Sequence, residues 1–340
     1  MNIVFRCDSS TEIGSGHLIR CITLGQILHT FGAQVHYYYK DLKGAINPSS
    51  LWSEAHSHLI PASLSSSEEV PFLQEKWAHL KDIKLIVLDH YGLEESWEAH
   101  FFSTYRLWVI DDLAIRKHHC HILHDSNYRT QPEDAYRHLV PSNCKLLLGP
   151  KFTLLRSEFV ATKARQTTTV RNTFRKALAF FGGTDPMHES LRFANNFAWE
   201  QTSLQWSLLI TPYNENYQKL KDLKTPPNLK IIYKPKSMAE LFAENDLYFG
   251  SGGTVTWERA YLGLSGYTCS VADNQIPASK ALAQAGYQEF LGASSQIDFS
   301  RFFAKIESDL KSSKLHDFSR KSSELVAPLT REIVEPLLQI

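Results

Sequence analysis

Twice along this 340-residue chain a short apolar strand runs into a glycine-rich turn that opens a helix, and that recurrence constrains the fold more than any other feature. The first case is Met1–Arg6, then Ile13-Gly14-Ser15-Gly16-His17, then apolar residues at helical spacing from Leu18 to Leu28 until Gly32 stops the pattern. The second is Leu247-Tyr248-Phe249, then Gly250-Ser251-Gly252-Gly253-Thr254, then a helix carrying Trp257 and Glu258. Further strand patterns lie at 34–39, 85–88, 107–110, 122–123 and 146–148, and the alternation restarts at 177–181, 206–210 and 229–233. Strands alternating with helices make parallel sheets covered on both faces, and 340 residues exceed what one core usually organises. The pattern predicts an α/β chain with two doubly wound, Rossmann-like domains facing a cleft.

The polar, aperiodic run 161–173 is the expected linker, placing an N-terminal domain at 1–160 and a C-terminal domain at 174–325. Residues 41–65, rich in Pro, Ser, Gly and Asn, read as irregular connection, although Leu51-Trp52 and Leu59-Ile60 suggest brief elements. The tail 326–340 reads as a helix broken at Pro328 and Pro336.

In parallel α/β sheets, ligands lie beyond the carboxyl ends of the strands, so polar residues there are candidates by position. Gly14 and Gly16 let the backbone approach a ligand, and the N–H groups of the helix start favour an anionic or polar group. His17 then stands beside whatever the loop holds. An imidazole with an ordinary pKa near ~6.5 is largely neutral at pH 7 and can take a proton from water, which suits a general base. The same string also fits a tight turn with His17 packing locally. Asp89, His90, Tyr91, Asp111 and Asp112 follow strand patterns and qualify by the same rule, with N-capping as the alternative for the aspartates. In the second half, the Gly250–Thr254 loop offers the amides, hydroxyl and helix start that a diphosphate needs, and Glu258 could accept both hydroxyls of a ribose. Complementing the helix dipole is the other reading of Glu258.

Lys+Arg and Asp+Glu balance at 36 each, which removes the global basic signature of a nucleic-acid binder. No apolar run approaches a membrane span, and the opening residues lack signal-peptide features, so neither membrane insertion nor export is expected. The five cysteines are scattered without CxxC spacing, which fits a reducing cytoplasm and neither a disulfide framework nor zinc. The histidines between Arg116 and His124 lack a tetrahedral ligand pattern and read as a polar loop, so no metal is expected there.

The motif blocks, in order, carry a resemblance. The opening pattern R-x-D-x-S-x-x-I-G-x-G-H-x-x-R-C is matched from Arg6 and Asp8 through Ile13, Gly14, Gly16 and His17 to Arg20 and Cys21. Asp89-His90-Tyr91, Ile110–Leu113, Gly149–Lys151, Leu155–Phe159, Phe181–Pro186, Gly252–Thr254 with Glu258, and Ala272–Gln275 follow. Together they resemble the hydrolases of pseudaminic acid biosynthesis that remove UDP from UDP-2,4-diacetamido-2,4,6-trideoxy-β-L-altropyranose, a family related in fold to the GT-B glycosyltransferase that makes lipid II. Two positions depart from the pattern: Cys120 is followed by His121, and Ser265 replaces a proline.

The resemblance implies a GT-B fold whose C-terminal half holds UDP through Gly252, Gly253, Thr254 and Glu258, with a tail crossing back to the first domain. It implies His17 as the base for water attack at C1 with inversion, and Tyr91 as the residue positioning the sugar or its diphosphate. Asn274 and Gln275 line the pocket, and Asp8, Gly14, Gly16, Arg20, Asn127 and Gly183 complete the expected substrate contacts. The expected enzyme is a monomer that needs neither metal nor cofactor, with the UDP-sugar substrate and UDP product as its partners and its sugar destined for flagellin or surface glycans. A GT-B glycosyltransferase using a UDP-sugar donor, and a non-catalytic UDP-sugar-binding protein, are the alternatives.

Overall fold

A computed structural model describes residues 1–167, 171 and 173–338. The chain divides into two units, Met1–Leu154 with Pro328–Ile340, and Leu155–Ala327. Each is a parallel α/β sheet with helices.

The first unit has seven strands: β1 (Asn2–Cys7), β2 (Gln34–Lys40), β3 (Ala55–Ile60), β4 (Ile83–Asp89), β5 (Arg106–Ile110), β6 (Ile122–Asp125) and β7 (Lys145–Leu148), in the order β3-β2-β1-β4-β5-β6-β7. Every pairing is parallel. Strand order reverses between β1 and β4, so the loops that leave these two strands part in opposite directions and open a crevice at their carboxyl ends. Alternating residues of β1 feed opposite cores, Ile3 and Phe5 packing with the helix Gly16–His29, and Val4 with Trp77 and Trp97 on the other face.

The second unit repeats the plan with β8 (Lys176–Phe180), β9 (Gln205–Ile210), β10 (Leu229–Tyr233), β11 (Leu247–Ser251), β12 (Ser265–Ser270) and β13 (Glu289–Ala293), in the order β10-β9-β8-β11-β12-β13. Here the reversal lies between β8 and β11. An aromatic core of Phe193, Trp206, Phe249, Phe302 and Phe303 fixes one face, with Phe249 and Phe302 ring centroids 4.1 Å apart.

Three expectations are corrected. The linker placed at 161–173 begins as helix: Ser157–Arg165 is helical and belongs to the second unit, and the division falls between Leu154 and Leu155. Only Phe159 and Thr162 of that helix are buried, so its apolar signature is one residue wide, with Phe159 packed edge-on against Phe242 at 5.6 Å. Residues 168–170 and 172 of the expected linker lie outside the described residues. Region 41–65 is less irregular than expected: the brief element suggested at Leu59-Ile60 is the end of β3, an edge strand whose His56, Ser57 and His58 mask its extent.

Pro336 sits inside the helix Arg331–Leu338 without ending it. A proline there forfeits one backbone bond near the helix end, and burial of Val334 among the residues that pack on Gly16–His29 holds the turn. That helix lies in the first unit, where the Leu329 N–H donates to the Thr153 carbonyl at 2.7 Å.

Strands β2 and β3 bring three imidazoles together. His36 Nδ1 lies 3.1 Å from His58 Nε2, its Nε2 lies 3.0 Å from Asn2 Oδ1, and the His56 ring stacks on it at 4.8 Å. Burial, with His56 and His58 adding to it, pushes the His36 pKa down to about 4. The folded state then binds fewer protons than the unfolded chain, whose histidine titrates near ~6.5. The contribution is intact above that value and is lost as pH falls toward 4. Urea titrations of His36→Gln beside the parent chain should show the parent losing about 1–3 kcal/mol more between pH 6.5 and 4; parallel stability profiles would remove His36 as the acid-labile group.

Candidate functional site

The crevice between β1 and β4 is filled by side chains from three loops. Gly14, with φ of 83°, turns the chain after β1, and the helix Gly16–His29 starts there with no side-chain cap from Ser15. Gly16 has an ordinary φ, and a Cβ added to it would meet nothing within 4 Å, so no contact within the chain demands a glycine there. His17 and Arg20 stand three residues apart on one face of this helix.

Both reach Asp89, the last residue of β4, which is paired in register with Cys7. His17 Nδ1 lies 2.6 Å from Asp89 Oδ1, while Arg20 donates through Nε to Oδ2 at 2.5 Å and through NH2 to Oδ1 at 2.6 Å. Burial opposes ionisation of Asp89, but the Arg20 guanidinium and His17 outweigh it and hold its carboxyl well below the usual range. An ionised carboxylate facing Nδ1 requires a proton on that nitrogen. Arg20 NH2 also comes within 3.0 Å of Nδ1, a result of both groups sharing Oδ1. In the neutral ring Nε2 then carries the lone pair, and among the described residues no protein group bonds it.

Tyr91 packs edge-on against the His17 ring at 4.6 Å and donates its hydroxyl to Asp112 Oδ1 at 2.6 Å. Burial and the Asp112 carboxylate push its pKa far up, so it stays a phenol. Asp112, following β5, also accepts from Arg20 NH1 at 2.7 Å. Asn127 donates its amide to the Asp112 carbonyl at 3.1 Å and so braces this loop. Arg116 clamps the segment after β4, donating to the His90 carbonyl at 2.9 Å and to that of Tyr91.

Two expected substrate contacts are given other tasks. The Asp8 carboxylate is 3 % exposed and accepts from both Arg6 terminal nitrogens, from the Lys40 N–H at 2.8 Å and from His90 Nε2 at 3.0 Å. Those four bonds use its lone pairs, and with Glu69 they neutralise Arg6, which is fully buried. Arg20 spends Nε and both terminal nitrogens on Asp89 and Asp112, so it fixes the site from behind.

In the second unit the loops after β8, β11 and β12 meet around the reversal point. Gly250 is required by close approach: a Cβ there would lie 1.8 Å from the Phe180 carbonyl oxygen. Gly252 is pressed against Ser279, and Gly253 faces Gln275, whose Nε2 is 3.7 Å from where a Cβ would be. Thr254 and Asn274 head the helices Val255–Tyr261 and Gln275–Gln284 without a side-chain cap bond, but the Gln275 and Ile276 N–H groups donate to the Ala272 and Asp273 carbonyls and Pro277 has none, so the start at Thr254 is the one that presents amides at this end of the sheet. Gly183 follows β8, its carbonyl accepting from the Thr211 hydroxyl. Glu258, expected to meet a ribose, is held in a two-bond fork by Arg156, Nε to Oε1 at 2.7 Å and NH2 to Oε2 at 2.9 Å. The fork leaves one acceptor position on each Glu258 oxygen.

Sequence reasoning singled out Asp89 and Asp112 by position and within motif blocks, and Arg156 only within a motif block, with no partner for any of them. Their partners lie 69, 92 and 102 residues away, separations at which no local pattern signals contact. The histidines of the 116–124 run find protein partners: His118 pairs with Glu98 at 2.8 Å, and His124 Nε2 meets the Phe152 carbonyl at 2.7 Å.

No protein-family model matches the chain. It is similar to the UDP-2,4-diacetamido-2,4,6-trideoxy-β-L-altropyranose hydrolase of Campylobacter jejuni, 27% identical over 293 residues that span 85% of this chain and 98% of that protein. The solved structure of MurG from Acinetobacter baumannii superposes with a TM-score of 0.65 at 12% identity over 99% of both chains. Spinosyn rhamnosyltransferase SpnG, complexed with thymidine diphosphate, superposes with a TM-score of 0.63 at 14% identity over 99% of each. The resemblance read from the motif blocks and the GT-B fold are both borne out.

The carboxylate of Asp89 sets the His17 tautomer, and that is open to measurement. Long-range ¹⁵N–¹H correlation spectra of neutral His17 should place the proton on Nδ1, and Asp89→Asn, whose amide can donate, should move it to Nε2. An unchanged tautomer in the folded variant would assign the orientation to another group.

Proposed function

We propose that this chain hydrolyses UDP-2,4-diacetamido-2,4,6-trideoxy-β-L-altropyranose, or a closely related UDP-sugar, to free sugar and UDP, by water attack at C1 with inversion, as a step of pseudaminic acid biosynthesis. The observation that carries this reading is the His17–Asp89 pair at the strand reversal of the first sheet, with Nε2 open and Nδ1–H held by an ionised carboxylate. That is the arrangement of a general base: Nε2 takes a proton from water, and Asp89 stabilises the imidazolium that forms. The similarity to the C. jejuni hydrolase along nearly its whole length supports the substrate class.

The diphosphate is already a good leaving group, so its departure needs charge stabilisation more than protonation. The helix start at Thr254, with Gly253 before it, supplies amides suited to it. Glu258, kept in place by Arg156, takes the ribose hydroxyls through its remaining acceptor positions. Tyr91, aligned by Asp112, orients the sugar beside His17. No step is routed through a metal or a cofactor.

A second reading follows from the solved structures: a rhamnosyltransferase shares the fold, and in such an enzyme the same base would deprotonate an acceptor hydroxyl instead of water. Incubation with the UDP-sugar, with and without acceptor, separates the two. Acceptor-independent release of free sugar and UDP supports hydrolysis, while release only with acceptor supports transfer.

For hydrolysis, His17→Ala and His17→Asn should lower kcat by about 10²–10⁴-fold, the usual contribution of general-base assistance, with UDP affinity nearly unchanged. In H₂¹⁸O the label should enter the sugar; label in the UDP β-phosphate would refute attack at carbon. Calorimetry on Glu258→Ala should show UDP binding weakened by about 1.5–3 kcal/mol, the scale of hydrogen bonds to a charged group. Arg156→Ala should give a smaller loss, because it removes only the support of the carboxylate. Full affinity in a folded Glu258→Ala chain would return that residue to helix-end electrostatics.

A further inference from the structure

Away from the crevice, at the opposite ends of β6 and β7, two cysteines meet. Cys120 precedes β6 and Cys144 precedes β7, strands that pair in parallel with Ile122 against Lys145, and the two sulfurs are 3.6 Å apart. That is van der Waals contact between thiols, about 1.5 Å beyond a disulfide bond. Cys120 is fully buried, while Cys144 is partly exposed at the end of a turn in which its N–H donates to the Pro141 carbonyl at 2.9 Å. Ser142 and Asn143 of that turn are exposed, so the needed approach can come from the Cys144 side without disturbing the core. Cys7, Cys21 and Cys269 are all buried, which leaves Cys144 as the thiol that solvent can reach.

The surroundings favour a thiolate at Cys144. The Cys120 thiol, as donor, draws the Cys144 pKa below its usual value, and His118 adds to this against the cost of burial. His118 is charged: burial opposes its proton, but Asp111 and Glu98 outweigh that and push its pKa up to about 9. Cys120 is shifted the other way, far up, by the same contact and by burial. Cys144, the member that solvent reaches, is placed to attack, and buried Cys120, in contact with it, to follow.

We propose that Cys120 and Cys144 form a reversible thiol–disulfide pair that responds to peroxides, with Cys144 reacting first and Cys120 closing the bond. The Cys144 thiolate attacks one peroxide oxygen, breaking the O–O bond to give a sulfenic acid and hydroxide. The Cys120 sulfur then attacks the Cys144 sulfur, losing its proton and expelling the sulfenic oxygen as water. Two electrons pass from the two thiols to the peroxide. Closure would tie the segment that carries His118 to the entry of β7.

The full-length chain, reduced and then treated with hydrogen peroxide, should fall from five titratable thiols to three under denaturing conditions. Non-reducing tryptic digestion should join the peptides 118–129 and 138–145, and dithiothreitol should separate them. In Cys120→Ser, dimedone should trap a sulfenic acid at Cys144; in Cys144→Ser, Cys120 should stay reduced. Because Cys120 is buried, linkage in the unaltered chain is the primary readout. Five thiols surviving peroxide, a sulfenic acid at Cys144 that never closes in the unaltered chain, or a Cys144–Cys144 link between chains would each overturn the proposal.

Discussion

The Asp89 carboxylate is the constraint around which the first unit is arranged. It is completely buried at the end of a central strand, where an unpaired charge would cost several kcal/mol, so the chain must bring cations and donors to it. Arg20 supplies most of that compensation, and in doing so it fixes the rotation of the helix on which His17 rides. His17 then has one ring nitrogen committed and one open. Charge neutralisation in the core and preparation of a base are one interaction.

Asp112 extends the same network outward. Its carboxylate accepts from Arg20 and Tyr91, and its carbonyl accepts from Asn127 and Arg129, so the loops after β4, β5 and β6 are joined at one residue. Beneath them, Arg6, Asp8 and Glu69 form a second buried cluster that anchors the end of β1 to the helix Ser66–Trp77. A positioned site needs such supporting layers, because an imidazole held by one contact alone would keep its rotational freedom. The second unit solves its problem with fewer charges. Glycines admit close backbone packing at Gly250 and Gly252, and the single fork between Arg156 and Glu258 fixes the carboxylate at the start of its helix.

Much of this was legible in the chain itself. Strands with continuous apolar runs, such as 85–88 and 107–110, announced themselves because both faces of a parallel strand are buried. Strand β12, Ser265–Ser270, is as fully buried but reads Ser-Gly-Tyr-Thr-Cys-Ser, with no aliphatic run to mark it. Ser265, where the related pattern has proline, sits buried with its hydroxyl donating to the Leu315 carbonyl at 2.5 Å. The helix Ser157–Arg165 escaped for a similar reason, since its inward face amounts to Phe159 and Thr162.

The sequence by itself determined the two strand–helix alternations, the glycine loops that end β1 and β11, and the placing of His17 at a helix start, because each depends on residues within one or two turns of one another. Tertiary structure alone decided which carboxylate His17 would meet, that Asp8 and Arg20 would turn inward as supports, and that Arg156 would take hold of Glu258. Those outcomes depend on strand order: β4 inserts beside β1 and brings Asp89 within 2.6 Å of a residue 72 positions earlier in the chain. Buried charges must be compensated by whatever the sheet places next to them, and the sheet places side by side residues that lie far apart in the sequence.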